Sequence, residues 1–156
     1  ELNAEPAADA YARAVGVTFD ELDRKIFALR PLAVRIGDNY FLRSIQRVNA
    51  DKSLTFYCAV ETGIVMTSMQ PGPMLDNLRE HLREAEAAVG PPLVTIGCDC
   101  FLRRLEAELT GVAEETSNLL REHKVIGFNT YGEQFEGMHI NQTFTGVVIG
   151  QPDAPL

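Results

Sequence analysis

Basic residues are scarce in this chain. Its 156 residues include 14 Lys and Arg against 22 Asp and Glu, which gives a formal net charge of -8. A protein that binds nucleic acid needs a basic face to displace counterions from phosphates, and an anionic membrane surface attracts basic segments for a similar reason. The charge balance therefore argues against nucleic acid and against anionic membranes as partners.

Cysteine is also sparse. The three cysteines are Cys58, Cys98 and Cys100, and an odd, small number is not typical of a secreted disulfide framework. The spacing Cys-x-Cys differs from the pairs that hold structural zinc, and no second Cys/His pair lies at that spacing. We therefore expect a reducing cytoplasm and no structural metal.

Long apolar runs and the common catalytic motifs are missing too. No run approaches the ~20 residues that span a bilayer, and the sequence shows no signal peptide. It has no Gly-x-Ser-x-Gly elbow, no Walker loop, no His-Glu-x-x-His and no dinucleotide fingerprint. These features favour a binding domain, with no membrane partner, over an enzyme. Because the chain begins at Glu1 without methionine, we expect a fragment or a processed product.

Hydrophobic residues make up 46% of the chain, enough for a core of its own at this length. Their spacing and the turn residues predict helices at 4–15, 19–30, 74–89 and 102–123, the last kinked or split at Gly111. Strands are predicted at 33–36, 40–48, 54–60, 64–69, 93–98, 125–131 and 142–149. Runs of adjacent strands indicate a single compact α+β domain, a mostly antiparallel sheet with helices packed on it.

The predicted organisation has three parts. Residues 1–30 form a helical segment that packs on the domain or leads into it, residues 31–150 form the domain, and residues 151–156 form a frayed tail. The second helix should begin at a capping box of Thr18 and Glu21. Residues 132–141 are predicted to be a long polar loop, and such loops carry function more often than tight turns. The alternative is a wide hairpin with a solvated tip.

Two positions in the strands have side chains suited to chemistry. Cys98 and Cys100 lie where a strand leads into a helix, whose N-terminal amides favour anions and lower a thiol pKa. The alternative is that both are small buried hydrophobic residues. Arg43 shares a strand face with Phe41 and Ile45, so it needs an anionic partner if it is buried. The alternative there is an exposed arginine on a sheet edge.

Several segments together resemble the C-terminal portion of FIST domains. The resemblance is carried by residues 99–106 and 127–135, continues through 137–146, and has weaker support from 40–45 and 11–29. It implies an intracellular sensory domain of a signal-transduction protein, for which amino acids have been proposed as ligands. It also implies two partners, an N-terminal FIST half and a downstream or separate signalling protein. A site built between the two halves would be incomplete in this chain.

The leading hypothesis is an amino-acid sensor without a cofactor. The carboxylate of an amino acid needs a guanidinium or helix N-terminal amides, and its ammonium group needs a carboxylate. Arg43 or Arg103 would hold the first, and Asp99 or Glu133 the second, with Asn141 fixing the orientation. The full predicted ligand-binding set is Arg43, Asp99, Cys100, Arg103, Tyr131, Glu133 and Asn141.

Two alternatives remain open at this point. A haem sensor would use His139 or a cysteine thiolate as axial ligand, although a lone histidine in such a segment is more often a hydrogen-bonded loop residue. A pure interaction module would use the N-terminal helices and an exposed strand to dock a partner or the missing half, and a homodimer is compatible with it.

Overall fold

The structure is a computed structural model that describes residues 1–70, 72–135 and 137–151. The predicted tail therefore lies outside the described residues from 152 onward. The helices are α1 Ala7–Val15, α2 Arg24–Leu29, α3 Met74–Val89, α4 Phe101–Thr110 and α5 Ala113–Glu122. The strands are β1 Leu32–Ile36, β2 Asn39–Arg43, β3 Ile45–Val48, β4 Leu54–Phe56, β5 Met66–Ser68, β6 Pro92–Cys100, β7 Val125–Thr130, β8 Glu133–Phe135, β9 Met138–Ile140 and β10 Phe144–Gly150. The α+β class is confirmed.

The second predicted helix is two separate pieces. The capping box is present, since a Glu21 carboxylate oxygen accepts from the Thr18 backbone N–H at 2.7 Å, but it opens only a 3₁₀ turn. The chain then becomes extended at Asp23, whose Oδ1 caps α2 by accepting from the Lys25 and Ile26 amides, each at 2.9 Å. Asp23 therefore starts a new helix, and the prediction of one helix over 19–30 was wrong.

The first sheet has the order β2-β1-β5 and is antiparallel throughout. The predicted strand at 40–48 is interrupted at Ser44, which is buried and donates its hydroxyl hydrogen bond to Gln142 Oε1 at 3.4 Å. Beyond that break, β3 pairs with β4 as a separate hairpin. The predicted strands at 54–60 and 64–69 are shorter in the structure, where they are β4 and β5.

A first hydrophobic cluster joins the N-terminal helices to these strands. Tyr11, Phe27, Leu32 and Ile45 pack together. The Tyr11 hydroxyl donates to the Arg30 carbonyl oxygen at 2.8 Å, and burial raises the pKa of Tyr11 far above its usual value. Helices α1 and α2 therefore pack against the strands that follow them in the chain.

The second sheet has the order β10-β6-β7. β10 is antiparallel to β6, as expected, but β6 and β7 are parallel and are connected through α4 and α5. These two helices replace the predicted helix 102–123, and Gly111 ends the first of them in a left-handed conformation with φ 78°. The predicted split is confirmed, and the parallel pair is the departure from the antiparallel expectation.

Helices cover one face of the second sheet. Leu78 and Leu82 of α3 pack with Leu119 of α5, and Val125 and Phe144 of the sheet pack against that cluster. Two further contacts hold α5 in place: His123 Nδ1 lies 2.5 Å from Glu86 Oε1 of α3, and the His123 carbonyl oxygen accepts from the Thr95 hydroxyl at 3.1 Å.

The segment 132–141 contains the hairpin β8–β9, which agrees with the alternative of a hairpin with a solvated tip, although its two strands were not predicted. β8 and β9 pair with Glu133 opposite Ile140 and Phe135 opposite Met138. Glu133 and Ile140 are both buried, and the hairpin contacts β6 and β10. A buried charged residue in the period-two pattern concealed the strand.

Among the helices in the described ranges, none combines the length with the apolar character that a membrane-crossing helix requires.

Candidate functional site

The carboxyl ends of β6 and β7 meet at one edge of the second sheet. In the parallel register, Asp99 pairs with Asn129 and Cys100 with Thr130. Helix α4 starts at the next residue, Phe101. Because ligands of α/β sheets bind beyond the carboxyl ends of parallel strands, this edge is the first place to look for a site.

A mostly buried ion pair lies at this edge. Arg103 Nε donates to Asp99 Oδ1 at 2.8 Å, and the two side chains are only 14% and 17% exposed. Burial raises the pKa of Asp99, and the charge and hydrogen bond of Arg103 oppose that rise. Taking both charges out of water costs free energy that offsets much of their mutual attraction. The presence of the pair therefore does not by itself show that it stabilises the fold.

The pair lines a cleft of about 340 Å³. Apolar side chains of α3, α4 and α5 form part of its wall, among them Met74, Ala107 and Leu120. Asn129 lines it too, and its side-chain amide donates to the Asp99 carbonyl oxygen at 3.2 Å. The rest of the lining is mainly polar or charged, and a cleft of this size in which polar groups converge beside apolar side chains can hold a small molecule.

A larger cleft of about 680 Å³ lies elsewhere, between the N-terminal residues and the segment around β4 and β5. The charged residues that line it are Glu1 and Glu61, both acidic. A ligand with a carboxylate would meet no basic side chain among the residues that line it, so size alone does not make it the better candidate. The smaller cleft offers both charges and a largely buried pair.

A second polar group, around Glu133 at the start of β8, lies where the hairpin packs on the same edge of the sheet. Glu133 is 3% exposed, and its carboxylate accepts from the hydroxyls of Thr143, at 2.6 Å, and of Thr130. The Cys100 backbone N–H donates to the Thr143 carbonyl oxygen at 3.0 Å. Glu133 is thus held by protein donors, and it raises the pKa of Asp99 and of Cys100 through its charge.

Cys100 is fully buried, and burial raises the pKa of its thiol. The backbone amides of Leu102 and Gln142 act in the opposite direction, as expected near a helix N-terminus, but desolvation is the larger effect. Of the two sequence-based interpretations, the small buried hydrophobic residue describes Cys100 in this structure. Cys98 is half-buried on the same strand.

Asn141 is fully buried beside the hairpin. Among the described residues, neither its Oδ1 nor its Nδ2 has a hydrogen-bond partner. Gly132 lies against it: a Cβ at Gly132 would be 3.0 Å from Asn141 Nδ2 and 2.0 Å from His139 Nε2. Leaving a buried amide group without a hydrogen bond costs about 1–3 kcal/mol of folding free energy per group. The hydrogen bonds of the described residues do not offset this cost at Asn141, so its position depends on packing.

The remaining predicted residues lie outside both groups. Tyr131 is 69% exposed, and its ring stacks near Phe101 and Tyr57, with centroid distances of 5.6 and 6.3 Å. Arg43 ends β2 half-buried, and its Nη1 donates to the Leu42 carbonyl oxygen at 3.1 Å. The structure therefore brings Asp99 and Arg103 together at the cleft. It places Glu133 and Asn141 at the base of the hairpin β8–β9, with Cys100 buried nearby at the end of β6.

Two features of the site were missed at the sequence level. Asn129 lines the cleft only because β7 is parallel to β6, a pairing that the sequence analysis did not predict. Gln142 is buried, and its Nε2 donates to the Ala28 carbonyl oxygen at 2.7 Å and to Glu106 Oε2 at 3.0 Å. A glutamine next to a strand gives no sequence signal for such a link between α2 and α4.

A family model described as the FIST C domain matches residues 7–136. The chain belongs to the FIST C domain family. This is a family of sensory domains of signal-transduction proteins, and the matched range contains the Asp99–Arg103 pair and its cleft. No curated protein and no solved structure matches the chain. Within the described ranges, no three His, Cys, Asp or Glu side chains converge as a metal-binding group.

Proposed function

We propose that this FIST C domain binds a small zwitterion of the amino-acid class in the cleft beyond β6 and β7. The observation that carries the proposal is the Asp99–Arg103 pair, which is mostly buried and lines a cleft of about 340 Å³. It supplies an anion and a cation next to an apolar wall, which are the groups that an amino acid requires.

The chemistry of the two side chains assigns their roles. Arg103 uses its Nε to bond Asp99, and a guanidinium has further N–H donors in a planar fork that suits a carboxylate. Asp99 would accept from the ligand's ammonium group. The ligand then forms two ion pairs in a partly dry cleft, which offsets part of the desolvation cost of the protein pair.

Helix α4 links the ligand cleft structurally to other parts of the domain. Arg103 and Glu106 lie one turn apart on α4 and line a second cleft of about 230 Å³ together with Gln142 and Ala28. Gln142 hydrogen-bonds both to Glu106 and to the Ala28 carbonyl of α2. A ligand that shifts α4 would therefore change the packing of the N-terminal helices, which a neighbouring FIST half or signalling protein would sense.

The proposal is of binding and not of catalysis, in a reducing cytoplasm. The buried acid Asp99 is bonded to Arg103, and Glu133 is bonded to two hydroxyls. Side chains engaged in this way fit the recognition of a charged ligand better than proton transfer.

A thermal-shift screen of the chain against amino acids, related metabolites and haem tests the proposal. We expect a selective rise in melting temperature with an amino acid, and loss of that rise in Arg103→Lys and Asp99→Asn. The matched control is Arg35→Lys and Asp38→Asn, which alter an exposed ion pair between β1 and the turn that follows it. The control variants should keep the ligand response.

Two results would contradict the proposal. If the site variants kept the full ligand response, the ligand would bind elsewhere. If haem alone stabilised the chain and gave a Soret band that moved in His139→Ala, the haem-sensor alternative would replace the amino-acid proposal.

A further inference from the structure

The second sheet has one face that no helix of the described structure covers and that the hairpin β8–β9 covers only at the end near Cys100. The face that carries Val125 and Phe144 packs on α3 and α5. On each strand, the alternate side chains point the opposite way. We call this opposite side the apolar face, and its side chains are Val94, Ile96, Cys98, Ile126, Phe128, Thr145, Val147 and Ile149.

The register aligns these side chains in rows across the three strands. Val147, Ile96 and Ile126 form one row. Thr145, Cys98 and Phe128 form the next. The rows make a continuous patch, unlike the single apolar side chains that are common on protein surfaces.

This patch is both exposed and uncharged. Its five largest contributors are exposed by 46% at Ile96, 60% at Ile126, 68% at Phe128, 63% at Val147 and 44% at Ile149. None of its eight side chains carries a charge, although 23% of the residues in the chain are charged. All-parallel sheets are almost always covered on both faces. This sheet is mixed, so the argument for a second layer rests on the exposure of the patch and on its lack of charge.

We propose that the apolar face is the interface of a symmetric dimer of this chain. At these exposures each of the five side chains presents roughly 100 Å² to solvent. The five together provide about 500 Å² per protomer and about 1,000 Å² in a symmetric pair, which reaches the lower limit for a biological interface and fits a reversible dimer. A two-fold axis through the face packs sheet on sheet, as in β-sandwiches.

The charge distribution sets the conditions under which a second copy binds. Two chains of formal net charge -8 repel one another at long range, and a contact surface without acidic side chains adds no close repulsion to that. The apolar face is such a surface. The dimer should therefore strengthen with added salt, because salt screens the repulsion between the rest of the two molecules while the apolar contact persists.

Sedimentation velocity of the chain over a range of concentrations tests this interface. We expect a reversible dimer in the wild type, stronger at 0.5 M than at 0.05 M NaCl, and at least tenfold weaker association in Ile126→Glu. Val65 is 81% exposed and lies outside the face, between β4 and β5, so Val65→Glu is the matched control and should dimerise normally. A wild type that stays monomeric at every concentration would overturn the proposal, as would equal loss in both variants.

Cys98 gives a second readout that does not depend on a variant. Its thiol lies on the apolar face, while Cys58 lies outside it and serves as an internal reference. Alkylation of Cys98, followed by peptide mass spectrometry, should slow relative to Cys58 as protein concentration rises. An unchanged ratio would place the dimer contact elsewhere. Neither measurement contains an amino acid, so failure here is distinct from failure of the ligand proposal.

Discussion

Gly132 is the residue where backbone and side-chain packing constrain the hairpin most tightly. Its φ is +154°, and a Cβ there would be 2.0 Å from His139 Nε2. We expect Gly132→Ala to destabilise the domain by about 2–3 kcal/mol in urea unfolding, because it strains the backbone and displaces both the exposed His139 ring and the buried Asn141 amide.

The matched control for that variant lies in the same hairpin. Gly137 also has a positive φ of +79°, but a Cβ there would meet nothing within 4 Å. Gly137→Ala should therefore cost only about 1–2 kcal/mol, from backbone strain alone. Equal losses in the two variants would show that His139 does not constrain Gly132.

Asn141 and Gln142 are adjacent buried amides with opposite hydrogen-bonding states. Among the described residues the Asn141 side chain has no partner, whereas Gln142 bonds to Ala28, Glu106 and Ser44. We expect Asn141→Leu to be neutral or to stabilise by about 1–2 kcal/mol, and Gln142→Leu to destabilise by about 2–4 kcal/mol. Chemical denaturation measures the free energy of unfolding of both variants. A large loss of stability in Asn141→Leu would mean that the Asn141 amide is hydrogen-bonded in solution.

Asp99 should give ligand binding a characteristic pH dependence. Burial raises its pKa above the ordinary value of 3.8. The folded protein thus holds this proton more tightly than the unfolded chain, and the contribution of Asp99 to stability falls as pH rises from 3.8 through the folded-state pKa. Binding of an ammonium group needs the carboxylate, so affinity should fall as pH is lowered through that raised pKa.

Calorimetric titration at several pH values measures this effect. Asp99→Asn should bind weakly and show no such fall, because its amide does not titrate. A variant with the wild-type pH profile would assign the titration to another group.

At the scale of elements, helices were easier to predict than strand pairing. α3 has the predicted bounds, since its apolar stripe ends at Gly90 and is preceded by a proline. The split at Gly111 followed from local backbone preference as well. Such signals lie within a few residues of sequence, so a single chain is sufficient to interpret them.

The errors concern long-range or buried polar features. The hairpin β8–β9 was missed because buried Glu133 breaks the apolar alternation of a strand, and its two hydroxyl partners, Thr130 at the end of β7 and Thr143, lie outside the hairpin. The parallel pairing of β6 with β7 depends on a crossover through α4 and α5. Strand composition does not determine such a pairing direction.

At the scale of the whole molecule, the second sheet separates two surfaces with different properties. One side carries α3 and α5 and adjoins the Asp99–Arg103 cleft, and the other is the uncharged apolar face. The sequence predicted both members of the ion pair as ligand-binding residues. It did not predict that these two residues share a cleft while Glu133 and Asn141 lie apart from it, at the base of the hairpin. That division follows from the tertiary placement of α4 and β8.

The location of the ligand is the central claim, and an amide NMR titration of the chain with the amino acid found by screening tests it most directly. The account predicts chemical-shift changes in the residues that line the cleft, among them Asp99, Arg103, Thr116, Leu120 and Asn129. Saturable changes there that disappear in Arg103→Lys would support the site. Changes confined to the hairpin 133–140, with the cleft residues unmoved, would contradict it.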